Sequence, residues 1–191
     1  LAFFINGIGT KNIAAASEKI HSNFLFVSTD YVFDGRSTTP YHEFAIPSPI
    51  NVYGNSKLAG EKYVKEFHTK YFIVRTSWLF SPFGNNFVKT MLRLAKEKKE
   101  IQVVTDQVGS PTYTFDLACQ IEKLIETKKF GTYHISNQGQ CSWYELASEI
   151  FKQTNQSILL KKSLTKHYFR PAKRPPFSVL DNMMLRLSGF D

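Results

Sequence analysis

The stretch FLFVSTDYVFDG, residues 24–35, decides how the chain is read. Phe24 to Ser28 is a short apolar run of the kind that forms a buried strand. Directly after it come Thr29, Asp30 and Tyr31, polar groups at the end of a strand where an open parallel sheet presents its ligand crevice. Asp34-Gly35 is a good turn pair, so Asp34 either organises that turn or joins the crevice.

Working outward, the Ala-rich stretch Asn12 to Ala16, with Ile8, Ile13 and Ile20 at helical spacing, predicts a helix feeding this strand. Downstream, a helix is predicted over Val52 to Phe67 and a strand over Tyr71 to Ser77, whose Phe-Ile-Val centre favours extended structure. The alternation continues with a helix from Asn86 to Lys98, a strand at Ile101 to Val104, a helix from Phe115 to Thr127 and a strand at Thr132 to Ser136. Such alternation predicts an α/β fold, a doubly wound parallel sheet with helices on both faces. Ser142 and Glu145 predict a capping box at the head of a helix running to about Thr154. Pro171, Pro175 and Pro176 keep regular structure out of the basic tail, and Val179 to Leu187 is compatible with a short helix.

With 191 residues, 42% of them hydrophobic, the chain has the makings of one globular domain, or of one domain with a small appendage, and disorder is excluded. The net charge of +8 suits an anionic ligand such as a nucleotide diphosphate, and equally a solvated basic surface. The lysines are dispersed and no nucleic-acid motif accompanies them, so no nucleic-acid partner is expected. Cys119 and Cys141 lie far apart without a metal-ligand pattern, and the five histidines show no ligand spacing; neither a disulfide framework nor a metal site is expected, and a reducing cytoplasmic setting fits. No apolar run approaches the roughly 18 residues of a membrane span, so no membrane association is expected.

In Tyr53-Gly54-Asn55-Ser56-Lys57 a phenol and an ammonium stand one helical turn apart. Proton transfer is the chemistry that wants such a pair, because a nearby ammonium favours the phenolate and brings a phenol toward neutral pH. Alone the spacing is common. Its context is not, since it lies between the strand ending at Thr29 and the strand ending in Thr76-Ser77-Trp78, so that three edges converge on one crevice.

Four blocks taken together, STDYVFDG at 28–35, YGNSK at 53–57 with Gly60-Glu61, RTSWLF at 75–80 and DQVGSPT at 106–112, resemble the dTDP-4-dehydrorhamnose reductase family of extended short-chain dehydrogenases. The resemblance spans nearly the whole chain. It implies a Rossmann-like sheet with a small C-terminal substrate-binding domain, divided as 1–84 with 113–137 and 85–112 with 138–191. It implies NADH or NADPH as cofactor and a dTDP-sugar as substrate, reduced at C4 from dTDP-4-dehydro-6-deoxy-L-mannose to dTDP-L-rhamnose. Tyr53 would then donate the proton, Lys57 would bind the nicotinamide ribose and lower the phenol's pKa, and Thr29 would hydrogen-bond the reacting oxygen. Asp30 and Tyr31 would touch the sugar nucleotide, and Trp78 would either wall the sugar pocket or fill core. Asn86 would sit near the substrate, with Phe87 packing beside it. Asn6 would stand ahead of a helix, toward the cofactor or as a plain cap. Arg170 and Arg174 would meet the diphosphate or lie on the surface.

Family members open with a strand, a glycine-rich turn and a helix whose N-terminus receives the cofactor pyrophosphate. Asn6-Gly7-Ile8-Gly9 only echoes that turn, so the element is expected outside this sequence, and the isolated polypeptide is expected to be inactive. The choice between NADH and NADPH, a Mg2+ requirement and a homodimer all stay open at this point. Two alternatives stand beside the reductase: another nucleotide-sugar epimerase or dehydratase, and a non-catalytic regulatory subunit of the methionine adenosyltransferase type.

Overall fold

A computed structural model describes residues 1–168 and 171–190. A π-helical turn, Phe4–Gly9, runs into α1 (Thr10–Lys19), followed by β1 (Phe24–Thr29), α2 (Val52–Phe67) and β2 (Tyr71–Thr76). Next come β3 (Leu79–Phe80), α3 (Phe87–Glu97), β4 (Glu100–Val104), β5 (Val108–Gly109) and β6 (Thr112–Tyr113). The chain continues through α4 (Thr114–Ile125), β7 (Gly131–His134), β8 (Cys141–Ser142), α5 (Trp143–Gln153), β9 (Leu159–Ser163) and α6 (Met183–Leu187).

The central sheet has three parallel strands in the order β1-β2-β7, with Phe24 opposite Tyr71 and Phe72 opposite Gly131. Successive side chains of a strand point to opposite faces, and β2 uses both. Phe72 and Val74 pack with Leu117 and Leu124 of α4 and Leu185 of α6, while Ile73 packs with Phe26 and Val64 of α2. The sheet is therefore covered on both faces, as the alternation predicted. The strand at Ile101 to Val104 does not join it: β4 pairs in parallel with β9 and builds a second core with α3 and α5 around Met91, Val103 and Phe151. Residues 171–176 carry no helix or strand, as the prolines predicted, and just beyond them Phe177 bridges to Val108 and Leu180 to Tyr41. The helix expected over Val179 to Leu187 forms only over Met183–Leu187, its first residues being extended along Tyr41.

Arg75, on the α2 side of β2, is 2% exposed and Glu61 of α2 is 1% exposed. Arg75 holds Glu61 with two hydrogen bonds, Nε to Oε1 at 2.9 Å and Nη2 to Oε2 at 2.7 Å. The Ser28 hydroxyl donates to the same carboxylate at 2.5 Å. Arg75 Nη1 also reaches His134 Nε2 at 3.3 Å, and His134 Nδ1 meets the Tyr41 carbonyl at 2.9 Å. A guanidinium can only donate, so His134 accepts at Nε2 and carries its proton on Nδ1. Burial, followed by the nearby Arg75, depresses the imidazole to about 3, which keeps it neutral. This network joins α2 to the ends of all three central strands.

Candidate active site

β1 ends at Thr29, whose Oγ1 accepts from the Tyr31 amide at 3.2 Å and donates to Asp30 Oδ1 at 3.0 Å, closing the one-turn 3-10 helix Asp30–Val32. α2 starts beside this turn, capped by Asn51, which accepts from the Gly54 amide at 2.8 Å. A Cβ on Gly54 would run into the carbonyl oxygen of Tyr31, so glycine is what allows the helix to seat against the turn. Gly60, one to two turns on, likewise lets the helix pass over the Asn6 carbonyl and the Phe26 ring. The close seating brings Tyr53, 46% exposed in the first turn, edge-on to Tyr31 with ring centroids 5.9 Å apart.

Thr29, Asp30, Tyr31 and Tyr53 line a cleft of about 680 Å³. Trp78 and Trp143 line it too, stacked with ring centroids 3.5 Å apart and their planes within 5° of parallel, as does Arg174. Trp78 has φ +47, a left-handed conformation that costs a non-glycine residue stability and marks a site held in place by its surroundings. Its indole lies so close to Gly109 that a Cβ there would strike it. Phe87 of α3 backs the stack, 4.5 Å from Trp143. The arrangement joins acid-base groups to a flat aromatic surface suited to a sugar or a base.

Electrostatics differ from the sequence expectation at the Tyr53/Lys57 pair. The Tyr53 phenol is raised above its ordinary value, chiefly by burial and further by the Asp30 carboxyl, with the Thr29 hydroxyl acting in the opposite direction. Lys57 turns onto the Phe26 ring. Its ammonium lies 4.0 Å from the Phe26 ring centroid, and burial depresses its own pKa. The helical spacing placed both residues one turn apart, but the Lys57 stem is long enough to turn onto the apolar ring. Lys57 forms no hydrogen bond among the described residues, which leaves a half-buried ammonium whose donors suit the hydroxyls of a ribose.

Asp30 is buried and raised to about 6, first by desolvation, with the Ser178 and Thr29 hydroxyls pulling it down. Its folded value lies above the ordinary 3.8, so the stability it contributes is whole below about 3.8 and is lost as the pH rises through about 6. His134 works in the other direction, its contribution standing above 6.5 and falling as the pH drops toward about 3. Asp30→Asn isolates the first effect. Relative to wild type it is expected to gain on the order of 1–3 kcal/mol more at about pH 7.5 than at about pH 4 in urea unfolding. An equal difference at the two pH values would contradict the assignment.

Asn6, expected ahead of a helix, is instead inside the π-helical turn, where it caps nothing and its amide nitrogen donates to Ser56 Oγ of α2 at 3.0 Å. Asn86, expected near the substrate, is the N-cap of α3. Its oxygen accepts from the Lys89 amide at 3.1 Å and its nitrogen donates to the Ser81 carbonyl at 2.8 Å, and it falls outside the cleft lining while Phe87 falls within it. Asp34 serves the turn, accepting from the Arg36 amide and the Tyr41 hydroxyl, both at 3.0 Å. Arg170 lies outside the described residues. Trp143, Gln107, Thr165 and Tyr168 line the cleft and were not singled out as site residues. Among the described residues no group of three or more His, Cys, Asp and Glu side chains could hold a metal ion, and no helix is long and apolar enough to cross a membrane.

The family described as RmlD substrate binding domain matches residues 1–191. The spore coat polysaccharide biosynthesis protein SpsK of Bacillus subtilis (strain 168) is 42% identical over 188 residues, covering 98% of this chain and 66% of its own length. A dTDP-4-dehydrorhamnose reductase of Aggregatibacter actinomycetemcomitans is 44% identical over 192 residues, covering 94% of this chain and 65% of the relative. The crystal structure of the Bacillus anthracis dTDP-4-dehydrorhamnose reductase in complex with NADP superposes with a TM-score of 0.95 at 53% identity, covering 97% of this chain and 66% of that one. The chain thus spans just under two thirds of the length of these relatives.

Proposed function

This chain belongs to the RmlD substrate-binding domain family, and on that premise we propose that the protein reduces the C4 keto group of dTDP-4-dehydro-6-deoxy-L-mannose to give dTDP-L-rhamnose. The observation that carries the proposal is the cleft itself, lined by Thr29 and Tyr53, by the stacked Trp78 and Trp143, and by Arg174. Bound NADH or NADPH supplies the hydride that C4 accepts. Tyr53 donates its proton to the C4 oxygen, a phenol being protonated at neutral pH and so in the form that can act as the acid. Thr29 orients the same oxygen. Lys57, with its donors unengaged, holds the nicotinamide ribose, and Arg174 offers a guanidinium to the diphosphate.

Residues 1–84 and 113–137 are assigned to the dinucleotide-binding part and 85–112 with 138–191 to the substrate part. Leu185 ties the end of the second to the core of the first. A cytoplasmic location, the absence of a nucleic-acid partner and a homodimeric assembly belong to the same reading, the second supported by the dispersed lysines. The presence of Thr29, Tyr53 and Lys57 within one α2-β1 unit favours the enzyme over a non-catalytic regulatory subunit.

The test supplies the longer polypeptide, in which these residues are joined to the cofactor-binding element expected outside this sequence, with dTDP-4-dehydro-6-deoxy-L-mannose and NADH or NADPH, and follows loss of the reduced nicotinamide. Oxidation coupled to appearance of dTDP-L-rhamnose is expected. No oxidation with either cofactor, from folded protein that binds both nucleotides, would contradict the proposal.

A further inference from the structure

The segment DQVGSPT, residues 106–112, holds several neighbours at once. Asp106 accepts at Oδ1 from the Thr165 amide at 2.9 Å and from the Thr165 hydroxyl at 2.8 Å. Gln107, 5% exposed, donates from Nε2 to Thr165 Oγ1 at 2.8 Å and accepts at Oε1 from the Trp143 indole at 3.2 Å. Val108 donates to the Pro176 carbonyl at 2.8 Å and accepts from the Ser178 amide at 2.9 Å. Gly109 lies flat against Trp78. One short loop therefore grips Thr165 on one hand and Pro176 and Ser178 on the other, near Tyr168 and Arg174 of the cleft lining, and also grips the tryptophan stack.

The polarity of the chain of bonds is determined. An indole nitrogen can only donate, so Gln107 Oε1 faces Trp143 and Nε2 faces Thr165, whose own proton goes to the Asp106 carboxylate. A carboxylate in place of the amide would keep the indole bond and lose the bond to Thr165. No other residue links Trp143 to the Thr165 turn by hydrogen bonds among the described residues.

We propose that Gln107 is a positioning residue that fixes the tryptophan stack and the Thr165 turn in register, and so sets the affinity of the cleft for a nucleoside diphosphate sugar. The ligand class rests on the proposed function above; the positioning itself does not. Gln107 holds Trp143 and Thr165, both on the cleft lining, and bonds to none of the acid-base groups, so it acts on binding more than on the chemical step.

The two tryptophans of the stack are the only ones in the chain, which makes their coupled circular dichroism and their fluorescence direct reports of this site. Three variants separate the bonds: Gln107→Leu removes both, Gln107→Glu keeps the one to Trp143, and Thr165→Val removes the one to Thr165 from its other end. The expected result is loss of the coupled indole signal in Gln107→Leu and its retention in Gln107→Glu. In a dTDP titration read by fluorescence, affinity falls about tenfold for Gln107→Leu and less for Gln107→Glu and Thr165→Val, with KM for the dTDP-sugar following and kcat changing little. A Gln107→Leu protein that keeps both the coupled signal and wild-type dTDP affinity would overturn the proposal. Failure of wild type to bind dTDP would instead sink the ligand assignment, leaving the spectral comparison to decide the role of Gln107. If Gln107→Leu does not fold, Gln107→Glu and Thr165→Val carry the test: unchanged dTDP affinity in both overturns it.

Discussion

Glu61→Ala is expected to destabilise the protein by about 3–5 kcal/mol, measured by urea unfolding, because it strands a buried guanidinium. Arg75 is 2% exposed and has Glu61 as its only carboxylate partner among the described residues. Its other contacts, His134 Nε2 at 3.3 Å and the face of Phe33 at 5.2 Å, carry no negative charge. His134 cannot compensate, since burial keeps it neutral with its remaining proton directed at the Tyr41 carbonyl. Ser28, next to Thr29 in β1, would lose its acceptor as well. Replacing both members together, Glu61→Met with Arg75→Met, is expected to cost much less than the sum of the single changes, because no charge is left unpaired. A Glu61→Ala loss below about 1 kcal/mol would contradict the role assigned to the network.

Tyr53→Phe is expected to lower kcat by about 10²–10⁴, the range of a positioned general acid, while leaving the fold and dTDP-sugar binding largely intact. The lost hydroxyl is on a residue 46% exposed to the cleft, so its removal opens no core cavity. Thr29→Val is expected to lower kcat less, since it orients rather than supplies the proton, and also to disturb Asp30, to which Thr29 donates at 3.0 Å. Because the Tyr53 phenol is raised by burial and by Asp30, the acid form persists above neutral pH, and Asp30→Asn should move the basic limb of the pH-rate profile downward by removing the carboxylate's contribution. An unchanged kcat in Tyr53→Phe would remove Tyr53 from the mechanism.

β1 and β2 were legible because each contains a short apolar run, β7 (Gly131–His134) from its place in the alternation, and α2 was predicted at its observed limits, Val52–Phe67. The capping box at Ser142 and Glu145 was legible for the same local reason: both partners lie within one turn. What was not legible depends on distant pairing. β9, Leu159–Ser163, is lysine-bearing and largely exposed, and it becomes a strand only by lying along β4. Trp143 looks like an ordinary helix-start residue until the fold brings Trp78 to within 3.5 Å of it. The helical spacing of Tyr53 and Lys57 was legible, but not where the lysine head lies, since that depends on a neighbouring ring, Phe26, that helical spacing does not encode. Asn6 shows the same limit: its neighbour Ser56 is 50 residues away in the chain.

Transfer of deuterium from nicotinamide-C4-deuterated NADH or NADPH to the sugar tests the account most directly. With dTDP-4-dehydro-6-deoxy-L-mannose, the protein is predicted to give dTDP-L-rhamnose labelled at C4, and Tyr53→Phe to give almost none at equal protein concentration. Label absent from C4 in the wild-type product, or labelling of C4 at the wild-type rate in Tyr53→Phe, would contradict it.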